Sequence, residues 1–509
     1  MAHSGSGSRI IKNTAILYAR IVITVLVSLY TTRIVLNGLG ETDYGIYNLV
    51  AGVVVMLSFL NSALATSTQR YLSFHQGRQD AETQRRVFNN SLLLHIFLGL
   101  VIVIALEVSG LFLFGGFLNI PADRISAAKS IYHFMAVTVF FSFIAAPFNG
   151  ALNAHENMLW SALVSIVEVI LKLSIALLLF VVVVSDKLEF YGYCMALISV
   201  ISLILYAVYC FRKYEECKLR LSYYFDKTVM KELTSFAGWS LFGAACGVSR
   251  VQGTAIILNL FFGSIVNAAY GVANQVSSQM NFLSSTLLQA INPQIMKSEG
   301  GGDRKKMLRL SMMASKFGFF LFSLVAIPTI FEMQTILELW LENVPKYSVT
   351  FCRLLLLGIM ANQLTIGLQS AVQATGKIKV YQLVVGCILL FNLPVSYVLL
   401  KIGFPAYYGL LSFIAIELIA CVFRLFFLRS LANLSISEYI NKVFVREFIP
   451  VMVCVATCYV LTHFIVIPFR FLLTYAISCL LYLITIYLVG LEKEELQLID
   501  NLRLKIFKK

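Results

Sequence analysis

The sequence predicts an all-α integral membrane protein of about 14 transmembrane helices, with two parallel six-helix repeats followed by two C-terminal helices. Three observations predict it: the apolar composition, the alternation of basic charge between loops, and an internal repeat.

Composition fixes the solvent. Of 509 residues, 59% are hydrophobic and 13% are charged, and the mean hydropathy is +0.83. So little charge cannot cover a water-facing surface, so the chain belongs in a bilayer. The ten cysteines are scattered without a CxxC, and the six histidines are isolated. The cysteines read as small buried hydrophobes, and no metal site is expected.

Apolar runs of about 20 residues or more fall at 11–37, 44–67, 87–116, 127–151, 157–184, 190–211, 234–262, 265–292, 310–335, 348–373, 379–401, 405–428, 447–467 and 470–490. With both termini in the cytoplasm, the inner segments carry 27 Lys and Arg and the outer ones 6. That asymmetry sets the orientation. It also turns the net charge of +14 into a topology signal, not a nucleic-acid footprint. The outer loops are all short. They leave no room for the catalytic loop of a membrane polymerase or ligase, and no segment could form a nucleotide-sugar domain.

The repeat is visible in two places. Tyr44-Gly45-Ile46-Tyr47-Asn48 opens the second span, and Tyr270-Gly271-Val272-Ala273-Asn274 opens the eighth. FNGALNA (148–154) ends the fourth span, and LQSAVQA (368–374) ends the tenth. An even number of helices per copy makes the repeat parallel, about an axis along the membrane normal. The expected divisions are an N-terminal lobe at 1–211, a basic cytoplasmic linker at 212–233, a C-terminal lobe at 234–430, and two helices with a basic tail at 431–509. Repeated halves of this kind bind substrate near the bilayer midplane, which is a transporter's architecture.

The eighth span carries Asn267, Asn274, Ser278, Asn281, Ser285, Gln289 and Asn292. At about 100° per residue they fall in a stripe roughly 80° wide. Carboxamides are costly in lipid, so the stripe faces protein or water. Packing glue and a water-filled path are both open; seven positions favour the path. In the first span Asn13, Arg20, Thr24 and Thr31 share a face, while Arg33 lies roughly 140° from Arg20 and near enough to the outer end to snorkel. Arg20 is deeper and is expected to contact substrate. Arg250 lies deep in the seventh span among Gly243, Gly247 and Gly253; it either binds substrate or pairs with a carboxylate. Glu168 and Lys172 are spaced to neutralise each other. Glu107 and Glu417 have no local partner. Each could pair with Arg20 or Arg250, or titrate as an ion-coupling site. Lys316, Glu332, Arg353 and Arg424 lie nearer helix ends and read as interfacial. Pro147, Pro328 and Pro394 predict kinks.

The run from Asn13 to Val50, with Arg33, Leu39-Gly40, Tyr44-Gly45, Tyr47 and Leu49 in the frame "R…LG…YG.Y.L", resembles the start of bacterial polysaccharide flippases. These belong to the superfamily that includes multidrug exporters and lipid II flippases. The resemblance implies a V-shaped pair of lobes, alternating access and a cavity whose basic residues meet an undecaprenyl-pyrophosphate-linked glycan. It implies translocation of oligosaccharide repeat units for lipopolysaccharide O-antigen, capsule or exopolysaccharide, in the bacterial cytoplasmic (inner) membrane. On that reading Arg20 and Arg250 meet the pyrophosphate, and Asn48, Asn149, Asn274, Ser278, Asn281, Ser285 and Gln289 meet the glycan. The last two helices would flank a groove for the lipid tail. Membrane lipids and polysaccharide polymerase machinery are the expected partners, and no bond is made or broken. No cofactor is expected, and H+ or Na+ coupling is left open. Multidrug exporters of the superfamily often place an acid in the first span, where this chain has Arg20. A cation-coupled multidrug or metabolite exporter is the alternative.

Overall fold

The apolar runs become helices, several of them closed at the start by a polar side chain. In a computed structural model, residues 3–497 are described except 57, 118–119, 183–184, 342 and 466. Among the described residues there is no strand. The helices are α1 (His3–Leu39), α2 (Glu41–Met56), α3 (Ser58–Gly77), α4 (Ala81–Phe112), α5 (Ile125–Ala154), α6 (Met158–Val181), α7 (Lys187–Lys213), α8 (Lys227–Gly300) and α9 (Arg304–Phe331). They continue with α10 (Met333–Trp340), α11 (Ser348–Gln363), α12 (Ile366–Thr375), α13 (Ile378–Leu390), α14 (Asn392–Lys401), α15 (Tyr408–Ala432), α16 (Ile436–Tyr439), α17 (Val445–Phe464) and α18 (Arg470–Thr485). Side-chain caps hold the starts of α4, α6, α7 and α9, from Asp80, Asn157, Asp186 and Asp303.

Among the described residues 11 helices are long and apolar enough to span a membrane, or 12 if the bent pair α11 and α12 is one span. The expected fourteen differ from this count at two places. The span expected at 44–67 crosses residue 57, which lies outside the described residues. The long α8 is two rods, because Gly263 takes φ 77° and ψ −169°, a conformation open essentially to glycine alone. The break falls between the seventh and eighth spans read from the sequence.

The chain divides into two compact units: Lys12–Leu241, and Phe242–Lys509 with Met1–Ile11. In the first, α5 is the central helix, packed on α3, α4 and α7. Phe143, Phe148, Ala151 and Leu152 form its buried face. At one end Arg124 bridges two carboxylates, Asp43 at 2.6 Å and Asp186 at 2.6 Å. At the other, Asn89 and Asn90 of α4 pin the segment after α7. Asn89 donates to Lys218 O (3.2 Å) and accepts from Arg220 N (3.2 Å); Asn90 donates to Tyr223 O (2.7 Å) and accepts from Asp226 N (3.0 Å). The stretch read as a linker at 212–233 is therefore fixed to the first unit, and from Lys227 it is already helix. Phe236 packs edge-on to Tyr71 at 5.9 Å, within the unit that ends at Leu241.

In the second unit α9 is the buried helix. Phe319, Phe320 and Ile327 pack with Cys454 and Cys458 of α17 and Tyr482 of α18. Gly243 and Gly253 allow close approach: a Cβ at either would meet Gln382 or Leu393 at 2.2 and 2.7 Å. Gly247 has open space around it. The sharp bend is not at a proline. α11 and α12 meet at 44° across Leu364 and Thr365. Of the three prolines expected to kink, Pro394 follows the break between α13 and α14, while Pro147 lies inside unbroken α5 and Pro328 inside unbroken α9.

Glu332, expected at an interface, is 1% exposed. It follows α9 and clamps α18: Arg470 reaches it with two bonds of 3.0 Å and Thr474 donates at 2.7 Å. Burial pushes the Glu332 carboxyl up, but the bonds from Arg470 and Thr474 outweigh it and hold the group below its ordinary range. A carboxylate so lowered stabilises fully above its unfolded value, and the contribution is lost as pH falls through the folded value. The apparent Tm of the purified protein is expected to fall on acidification, and less steeply in Glu332→Gln. Gly263→Ala is expected to lose about 1–3 kcal/mol of stability, read as a lowered Tm.

Candidate functional site

Two groups of deep charges lie in separate units, and the structure treats them differently. In the second unit Glu417 of α15 is fully buried. Arg250 of α8 bonds one oxygen at 2.9 Å, and Arg424 of α15 bonds the other at 3.0 Å. Asn362, at the end of α11, donates to the same carboxylate at 2.6 Å. Arg424 also donates to Thr365 Oγ1 at 3.1 Å, and the Arg250 guanidinium lies 4.2 Å from the centre of the Phe413 ring. Two guanidiniums share one carboxylate, so the node keeps one net positive charge. The Nε of both arginines is buried without a partner.

This node sits at the break between α11 and α12. A broken helix frees backbone carbonyls, which must be satisfied within the protein. Tyr439 OH donates to Leu364 O at 2.8 Å, and Cys421 donates to Ala361 O at 3.0 Å. Arg424, read as interfacial, is 3% exposed. The missed signal is its spacing: seven residues, two turns, place it on the face of Glu417. Lys316 is likewise corrected, being 1% exposed and paired with Glu495 at 2.6 Å. Arg353 is half-buried and donates to Ile330 O at 2.8 Å.

In the first unit Arg20 is half-buried on α1. Glu168 of α6 and Tyr206 of α7 lie within electrostatic reach, yet among the described residues no ion pair closes on Arg20. Glu168 and Lys172, expected to neutralise each other, form no ion pair either; both are half-buried. A spacing of four permits that contact but does not enforce it. Glu107 pairs with His133 of α5 at 2.9 Å, with both side chains substantially exposed. Asn48 is exposed on α2, and Asn149 accepts from Asn153 at 3.1 Å.

The polar stripe of α8 lies beside that rod's exposed side. Ser278, Asn281 and Ser285 are exposed, and Asn267, Asn274, Gln289 and Asn292 are half-buried. Its opposite face, with Ala269, Ala273, Ser284 and Ala290, is buried. Asn274, Ser278 and Ser285 bond carbonyls of their own helix; Asn281 accepts from Gln363 at 3.0 Å. Off the stripe, Gln275 and Gln279 are also exposed.

Removing the Glu417 carboxylate strands two guanidiniums. Glu417→Ala is expected to lose about 3–5 kcal/mol, read by thermal unfolding, whereas Glu107→Gln, on an exposed pair, is expected to lose about 1 kcal/mol or less.

Residues 10–299 match a family profile described as polysaccharide biosynthesis protein. No curated protein sequence is significantly similar to the chain. Solved structures share its fold. A MATE in its bent conformation superposes with a TM-score of 0.74 at 15% identity, over 84% of this chain and 96% of that one. A multidrug resistance MATE family transporter of the MOP superfamily, in an outward-facing conformation, gives 0.71 at 14%, over the same shares. A MOP superfamily transporter from Pyrococcus furiosus, described by the reverse polarity of its binding pocket, gives 0.73 at 14%, again over 84% and 96%. With a profile that covers more than half of its length, this multi-pass membrane chain belongs to the polysaccharide biosynthesis protein family and is built on the fold of MOP-superfamily transporters.

Proposed function

We propose that the protein is a flippase. It translocates undecaprenyl-pyrophosphate-linked oligosaccharide repeat units across the bacterial cytoplasmic membrane by alternating access, for cell-surface polysaccharide such as lipopolysaccharide. The observation that carries the reading is Arg20: a half-buried guanidinium with no ion pair among the described residues, in a family of polysaccharide biosynthesis. A guanidinium at membrane depth costs about 2.5–3.5 kcal/mol or more, and an anionic ligand offsets that cost. Its planar fork suits phosphate oxygens.

Each unit supplies its own part. In the first, Arg20 holds the pyrophosphate, with Asn48 and Asn149 offering polar contact to the glycan. In the second, the α8 stripe of Asn274, Ser278, Asn281, Ser285 and Gln289 solvates sugar hydroxyls, which carboxamides can meet as donor and acceptor. Arg250 is engaged by Glu417, so it acts through the net charge of that node and not as a free hand. The lipid tail stays in the bilayer, no bond is made or broken, and the two repeats alternate their access. The distribution of Lys and Arg, 27 inner against 6 outer, supports cytoplasmic termini.

The test is reconstitution into liposomes with a lipid-pyrophosphate-linked oligosaccharide, following the glycan that becomes accessible to an outside enzyme. Wild type is expected to translocate. Arg20→Ala is expected to lose translocation about tenfold or more while keeping its Tm, and Arg20→Lys to retain part of it. Intact flipping by Arg20→Ala removes Arg20 from the mechanism. No flipping by folded wild type, with transport of soluble cations instead, selects the cation-coupled exporter.

A further inference from the structure

Glu447, in the first turn of α17, is 2% exposed, and both of its carboxylate oxygens are buried without a hydrogen-bond partner. A bare carboxylate in that position is strongly disfavoured, so a bound proton suits it. The charged group whose field reaches it is Lys316 of α9. Tyr439 of α16 and Tyr482 of α18 are the other titratable groups within reach. Its neighbour Arg446 donates to Val489 O at 2.7 Å.

Lys316 is already committed. Its ammonium bonds Glu495 at 2.6 Å and lies 4.0 Å from Glu492. The same oxygen of Glu495 accepts from Glu492 N at 2.8 Å. One buried ammonium therefore holds the turn that follows α18. Beside it is a cavity of about 20 Å³, lined by Arg309, Lys442, Glu492 and Glu494 among others. That is room for about one water.

We propose that Glu447 is a proton-binding site, and that its occupancy decides whether Lys316 holds the C-terminal turn. With the proton bound, Glu447 is neutral and Lys316 stays on Glu495, as in this structure. When the proton leaves to water, the new carboxylate has no donor of its own. Among the described residues Lys316 is the cation in reach, and its one charge cannot neutralise Glu447 and Glu495 together. The ammonium moves toward Glu447, and the turn at 491–497 is released. The ligand is a proton alone, and the device does not depend on which substrate is carried.

The full chain in lipid nanodiscs tests this without transport. Infrared difference spectra across a pH titration read protonated carboxyls, and amide hydrogen exchange over 491–497, corrected for intrinsic rates, reads the turn. Wild type is expected to show a protonated-carboxyl band that Glu447→Gln lacks. Its exchange over 491–497 is expected to rise several-fold from mildly acid to mildly alkaline buffer. Glu447→Gln is expected to stay protected throughout, and Lys316→Met to exchange fast at every pH. A pH-independent corrected exchange in wild type overturns the proposal and needs no variant. So does a band that survives in Glu447→Gln, or a pH profile that Glu447→Gln shares with wild type.

Discussion

A charge inside a membrane protein has to be answered inside the protein, because lipid cannot answer it. In the second unit the answer is Glu417. Its carboxylate joins α8 through Arg250, α11 through Asn362 and α15 through Arg424. Those three contacts meet where α11 gives way to α12. The bend frees carbonyls, and the charges that hold it bring donors with them. Thr365 accepts from Arg424, and Tyr439 caps the Leu364 carbonyl from another helix.

The same rule sorts the remaining charges by use. Glu332 with Arg470 holds α18 to the end of α9. Arg124 with Asp43 and Asp186 ties the ends of the helices in the first unit. In each case opposite charges are consumed by structure. Arg20 differs, since it sits within reach of Glu168 without closing on it. A polar or charged group that costs energy and binds nothing within its own unit is where a ligand is to be sought. The exposed carboxamides and hydroxyls of α8 follow the same logic in neutral form.

Much of this was legible in the sequence where the signal is periodic. The break at Gly263 falls between the runs 234–262 and 265–292. The stripe of α8 follows from 100° per residue, and Cys454 and Cys458 are buried, as cysteines read as small hydrophobes should be. Pairing across helices was not legible. Arg424 looked interfacial because a position along a span says nothing of what packs on it. Glu168 and Lys172 looked paired because spacing of four allows it, yet side-chain direction decides. The segment 212–233 reads as a basic linker, and its tethers are Asn89 and Asn90, more than 120 residues earlier. Glu447 carried no local mark at all, because its isolation comes from α9 and α18.

Recognition of an anion by Arg20 is tested most directly by equilibrium binding. The protein in nanodiscs is offered an undecaprenyl-pyrophosphate-linked oligosaccharide and the same glycan on an uncharged lipid. The account predicts that the pyrophosphate form binds about tenfold tighter or more, with the difference shrinking as salt rises. Equal affinity for the two lipids, unchanged by salt, would contradict it.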